Sequence, residues 1–261
     1  PKNGEIWNNL AVLYLRYGDL ELAQQTFVKA QSIAPDLAHS WIGDALMATE
    51  SDDNETASKL FTHALVLSNG RSPIAQLMYG MSVCSNRIGA NDDKMDIQAA
   101  QELTMASFTM SRFLKQKPND QVGLEIACDI AERIGDYEYG EQLAAKLCDI
   151  LEAKYEENES ESVLMQYAQA KTQLARLNLG NGNYEGCIDN AQFTLDILGG
   201  DEDNEEENDD EKSPEVTKCV LSSRTVLGLA YYSLDEFGQS IEEFKKILRH
   251  SGGKTSFIIL I

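Results

Sequence analysis

Apolar positions recur along this chain in a helical rhythm. Trp7, Leu10, Ala11 and Tyr14 fall at i, i+3, i+4 and i+7, and Ala23, Phe27 and Ala30 follow with the same spacing apart from the i+3 place. Each set forms one apolar stripe, so the pattern predicts two amphipathic helices in succession. Between them Gly18 can adopt the left-handed conformation that closes a helix, and the Asp19 carboxylate can cap the next one. Pro35 then ends the second helix, and Asp36 is placed to cap a third.

The pattern repeats. Trp7, Ala11, Ala23, Phe27 and Ala30 return as Trp41, Ala45, Ala57, Phe61 and Ala64, five identities at a constant offset of 34. The alanines let paired helices approach while Trp7, Tyr14 and Phe27 fill the space between layers. Further along, the turn YGDLELA (17–23) recurs as IGDYEYG (134–140) and NGNYEGC (181–187). Leu227, Gly228, Tyr231, Ser240, Phe244 and Ile247 repeat the spacing of Leu10, Ala11, Tyr14, Ala23, Phe27 and Ala30. No alternating tract competes with this periodicity, so the expected fold is all-α, a helical-hairpin solenoid of about six hairpins, some extended. The expected repeats are 4–37, 38–71, 72–118 with an insertion, 119–160, 161–198 and 215–250, with an acidic disordered loop at 199–214. They read as one array. Extra residues are placed near 89–95, near 156–162 and in 199–214, as lengthened helices or inserted loops.

A 34-residue helix-turn-helix with Trp, Leu-Ala, Tyr, Ala, Phe, Ala and Pro in this order resembles the tetratricopeptide repeat. Residues 4–37 match that pattern at Trp7, Leu10, Ala11, Tyr14, Ala23, Phe27, Ala30 and Pro35.

Charge narrows the function. The chain carries 22 Lys and Arg against 43 Asp and Glu, a formal charge of −21, which disfavours direct contact with nucleic acid. Nine acidic residues lie in DEDNEEENDDE (201–211), which reads as a solvated loop or, alternatively, a docking tail for a basic partner. Cys84, Cys128, Cys148, Cys187 and Cys219 are widely spaced, odd in number and without a C-x-x-C, as expected of reduced packing residues in a cytoplasmic or nuclear protein. Neither a signal peptide nor a membrane-length apolar run is evident.

Catalytic signatures are weak. His39, His63 and His250 have no partner at metal-ligand spacing, and no cofactor is expected. Gly253-Lys254-Thr255 imitates a phosphate loop, but Leu248 stands where that loop needs glycine and a helix precedes it. No carboxylate pair stands in an apolar setting suited to acid/base work. The expectation is a non-enzymatic binding protein. Its start at Pro1 and the apolar run 257–261 further suggest a fragment of a longer array.

Binding is expected on the first helix of each hairpin, where tetratricopeptide proteins form their concave face. Glu5, Asn8, Val12, Leu15 and Arg16 occupy those positions in the first repeat, and His39, Ile42, Leu46 and Glu50 in the second. Chaperone-binding tetratricopeptide proteins grip an acidic tail with Lys and Asn there, and Asn8 and Val12 do not complete that clamp. Val12, Leu15, Ile42 and Leu46 suit an extended or helical protein segment, unless neighbouring helices bury them.

Residues 10–48, and AQSIAPDLAHSWIGDALMA in particular, resemble the tetratricopeptide subunits of superkiller (Ski) complexes. The shared elements are Leu13-Tyr14-Leu15, Ala30-Gln31-Ser32, Trp41-Ile42-Gly43 and Ala45-Leu46. The resemblance implies a scaffold that binds an RNA helicase and a WD-repeat β-propeller protein and assists the cytoplasmic exosome in 3′-to-5′ mRNA decay. A generic adaptor in another assembly is the alternative.

Overall fold

A computed structural model describes residues 3–85, 97–199 and 213–250. Among them are twelve helices: α1 (Gly4–Arg16), α2 (Leu20–Ile33), α3 (Ala38–Glu50), α4 (Asn54–Leu67), α5 (Pro73–Ser85), α6 (Ile97–Gln116), α7 (Gln121–Ile134), α8 (Tyr137–Glu157), α9 (Glu161–Gly180), α10 (Tyr184–Ile197), α11 (Pro214–Ser233) and α12 (Phe237–His250). α1 pairs with α2, α3 with α4, α5 with α6, α9 with α10 and α11 with α12 as the A and B helices of hairpins, and the fold is that of tetratricopeptide repeats. The chain divides into two compact units, Pro1–Ile130 and Ala131–Ile261, the division falling inside α7.

Turn chemistry is local. Gly18, Gly135 and Gly182 take φ of 79°, 84° and 78°, each two residues before the B helix begins. Asp52 and Asp235 do the same at 59° and 62°, a conformation that short polar side chains tolerate. In three of these turns the residue after the reversal then caps: Asp19 accepts from Leu22 N at 3.1 Å, Asp53 from Thr56 N at 3.1 Å and Asn183 from Gly186 N at 3.1 Å, whereas Asp136 makes no such bond. Asp36 makes no such cap. Leu37 stands at the N-cap of α3 without a side-chain hydrogen bond, because Pro35 starts the turn one residue too early for Asp36 to reach the orphan amides.

Small residues set the spacing between helices. Ala11, Ala23, Ala30, Ala45, Ala57 and Ala64 are all but fully buried, as are Phe27 and Phe61. Trp7, Leu10, Tyr14 and Trp41 are half-buried at the edges, and Pro35 is exposed at the junction. Phe27 lies in a cluster with Ala11 and Met47, and a β-carbon on Gly43 would come within 2.2 Å of its ring. The ring is therefore closed in by α1 on one side and α3 on the other.

Length variation falls on particular helices. α6, α8, α9 and α11 have 20 to 21 residues, against 13 or 14 for α1 to α5. The extra residues expected near 156–162 extend α8 and α9, leaving Asn158–Ser160 as the connection. Pro214 opens α11, with the Ser213 hydroxyl accepting from Val216 N at 3.3 Å. The expected insertion at 89–95, the acidic run 201–211 and the Gly-Gly-Lys-Thr segment lie outside the described residues.

Candidate protein-binding face

In the first unit the A helices stand side by side, α1 against α3 and α3 against α5. The connection from α4 to α5 is one residue longer than that from α2 to α3, so the offset from α3 to α5 is 35 rather than 34. Hydrogen bonding fixes this register. Trp41 donates its indole N–H to Pro35 O, six residues back, at 2.9 Å, and Gln76 donates its amide to Gly70 O, again six residues back, at 2.7 Å.

With that correction Val12, Leu46 and Met81 occupy one register on three adjacent helices, and Ile74 and Leu77 on α5 match His39 and Ile42 on α3. Val12 is 37% exposed, Met81 39% and Ile74 47%, while Leu46 and Leu77 are half-buried. Ile42 is not available on this face. It is 4% exposed and belongs to the core of the second hairpin with Ala45, Phe61 and Ala64. Leu15 is half-buried against the Phe27 cluster, and Glu5, Arg16, His39 and Glu50 are exposed around the apolar strip. Asn8 is half-buried, and its Oδ1 is enclosed without a hydrogen-bond donor.

Ile74, Leu77 and Met81 escaped the sequence reading because α5 has no Trp to anchor it. The signal that could have found them is Gln76, a buried polar residue in the tryptophan slot.

The A helices of the second unit have a different chemistry. Arg176, in the register of Val12, donates through Nε and Nη2 to Glu132 at 2.7 and 3.1 Å. The Thr172 and Ser223 hydroxyls meet at 2.8 Å between α9 and α11. Lys171 and Arg224 fill the slots held by tryptophan in the first two repeats. The Lys171 ammonium lies 5.4 and 5.2 Å from the Tyr167 and Phe193 rings, and Arg224 donates to Glu243 at 3.0 Å.

Burial perturbs several acids. It pushes Tyr79, Cys148 and Cys187 up to about 12, with Glu102 adding to the effect at Tyr79. Among the described residues no group of His, Cys, Asp and Glu could hold a metal, and no helix is long and apolar enough to cross a membrane.

The tetratricopeptide-repeat family pattern matches residues 4–37. The chain is 40% identical over its whole length to Superkiller protein 3 of Saccharomyces cerevisiae, covering 18% of that protein. It is 24% identical over 84% of its length to Superkiller protein 3 of Schizosaccharomyces pombe, covering 15% of it, and 27% identical over 64% of its length to tetratricopeptide repeat protein 37 of Xenopus laevis, covering 11%. The chain thus spans less than a fifth of these relatives. Among solved structures, YrrB, described as a TPR protein with an unusual peptide-binding site, aligns with a TM-score of 0.58 at 15% identity over 75% of this chain and 87% of its own. PilW, a type IV pilus biogenesis factor, aligns with a TM-score of 0.58 at 14% identity over 97% of this chain and 95% of its own.

Proposed function

We propose that the chain, which is similar along its whole length to a segment of Superkiller protein 3, is a non-catalytic scaffold segment of a superkiller complex assisting cytoplasmic 3′-to-5′ mRNA decay. The observation that carries this reading is the strip of Val12, Leu46 and Met81, widened by Ile74 and Leu77. It is an apolar floor on three parallel helices with charged residues at its edges, suited to a protein segment laid across the repeats. Its partners are the helicase and β-propeller subunits that the resemblance implies. RNA handling falls to the helicase, which fits a scaffold carrying a net charge of −21.

Affinity purification from cells tests the proposal. Val12→Glu combined with Met81→Glu places two charges on exposed positions, so the fold should persist. The expected result is loss of the co-purifying helicase or propeller at unchanged thermal stability. Full retention of both would overturn the assignment of this face, and their absence from the unsubstituted protein would overturn the complex.

A further inference from the structure

Asparagine followed by glycine is the dipeptide at which a chain most readily modifies itself, because glycine has no β-carbon to keep its backbone nitrogen away from the asparagine Cγ. Three such pairs occur here, Asn3-Gly4, Asn69-Gly70 and Asn181-Gly182. The fold holds two of them and leaves one free.

Asn3 Oδ1 accepts from Glu5 N at 2.9 Å as the N-cap of α1, and Asn181 donates through Nδ2 to Glu141 Oε2 at 2.7 Å. Swinging either Cγ toward the next nitrogen breaks that bond, and a bond to a carboxylate is a strong one. The Asn69 carboxamide is exposed and makes no hydrogen bond among the described residues. Its backbone differs as well. Asn69 takes φ of 49°, in the left-handed region that favours glycine, whereas Asn181 takes −83°. Opening the turn therefore relieves the backbone at 69 and not at 181. The attacking nitrogens do not separate these two sites, since Gly70 N donates to Leu65 O at 3.1 Å and Gly182 N to Leu179 O at 3.2 Å.

We propose that Asn69 is a site of self-modification to isoaspartate. Gly70 N loses its proton to solvent and bonds to Asn69 Cγ, and the carboxamide nitrogen leaves as ammonia, closing a succinimide. One water then opens the ring. Attack at Cγ gives aspartate; attack at the α-carbonyl gives isoaspartate, whose chain runs on through Cγ and is one methylene longer. The consequence falls on α5. Gly70 O accepts from Nε2 of the fully buried Gln76 at 2.7 Å, and a β-carbon on Gly70 would come 2.8 Å from the Arg112 guanidinium. A longer backbone in so close a setting draws Gly70 O off Gln76 and loosens the bond that sets the register of α5.

Peptide mapping of the native protein, incubated at mildly alkaline pH, tests the site. Asn69 should show the amide-to-acid mass change about tenfold faster than Asn181, with isoaspartate separated from aspartate by chromatography. Glu141→Ala should raise the Asn181 rate toward that of Asn69. No conversion at 69, or conversion at 3 or 181 just as fast in the unsubstituted protein, overturns the assignment. Hydrogen exchange reads the consequence. Amide protection at the start of α5 should fall in the isoaspartate form and hold in Asn69→Asp, which carries the charge without the methylene. Equal protection in the two would sink the link between residue 69 and the register.

Discussion

Arg224 donates to Glu243 at 3.0 Å inside the last hairpin, in the slot that Trp7 and Trp41 occupy in the first two. The side chains are 6 and 10% exposed, and Lys246 reaches the other Glu243 oxygen at 3.0 Å. A charged pair in this place depends on both members. Arg224→Ala leaves a buried carboxylate with one partner at its edge, and is expected to cost about 3–5 kcal/mol in urea denaturation. Arg224→Leu combined with Glu243→Leu removes both charges and should cost far less. A double substitution as damaging as the single one would show that packing, and not the stranded charge, controls this hairpin.

Tight packing in the first unit rests on small residues. Gly43→Ala drives a methyl group into the Phe27 ring, and Ala45→Leu overfills a fully buried position. Each is expected to cost about 1–3 kcal/mol. Gly18→Ala is different: nothing lies within 4 Å, and the cost is the left-handed backbone at φ 79°, about 1–2 kcal/mol. Phe27→Leu should relieve much of the Gly43→Ala penalty and none of the Gly18→Ala penalty. Thermal denaturation of the four variants and the two doubles measures this.

Alkaline pH should weaken the fold through its thiols. Burial raises Cys148 and Cys187 from 9.0 to about 12, so the folded state keeps them neutral while the unfolded chain ionises above 9. Their contribution is complete below pH 9 and is lost as pH climbs toward 12, with a slope of up to about 1.4 kcal/mol per pH unit for each. Cys187→Ala should flatten that limb of the stability curve. An unchanged slope would place the alkaline loss elsewhere.

RNA binding separates a protein scaffold from a direct reader. With 22 basic against 43 acidic residues and no basic run interleaved with aromatics, the chain should show no measurable affinity for single-stranded RNA near physiological salt. Fluorescence anisotropy with a labelled strand decides it, and micromolar, salt-sensitive binding would contradict the scaffold reading.

The sequence exposed those features that local chemistry determines. Gly18, Gly135 and Gly182 mark the reversals because a positive φ favours glycine, and the 34-residue identities place the alanine and phenylalanine core. Asp52 and Asp235 make the same reversals unannounced, since aspartate also belongs to helices and caps. Ile42 was legible as a position on the A helix but not as buried, because its exposure depends on where α4 and α5 lie. Met81 was hidden by one additional residue between α4 and α5, which shifts every later side chain by about 100° around its helix. Spacing alone sets Arg224 three residues before Leu227, as Trp7 stands before Leu10, but it does not reveal what accommodates a cation there, since Glu243 and Phe193 come from other helices.

The cysteines give the chain a ruler for its own breathing. Cys128, Cys148, Cys187 and Cys219 are buried on α7, α8, α10 and α11, while half-buried Cys84 is on α5. In a repeat protein each hairpin is held by its own contacts and those of its neighbours, so openings are local and differ in frequency along the chain. A thiol reagent reaches a buried sulfur only when the helices above it part. Its rate at each buried position therefore reports the free energy of that opening, and the native sequence carries these four probes, with half-buried Cys84 as a reference, without any label being introduced.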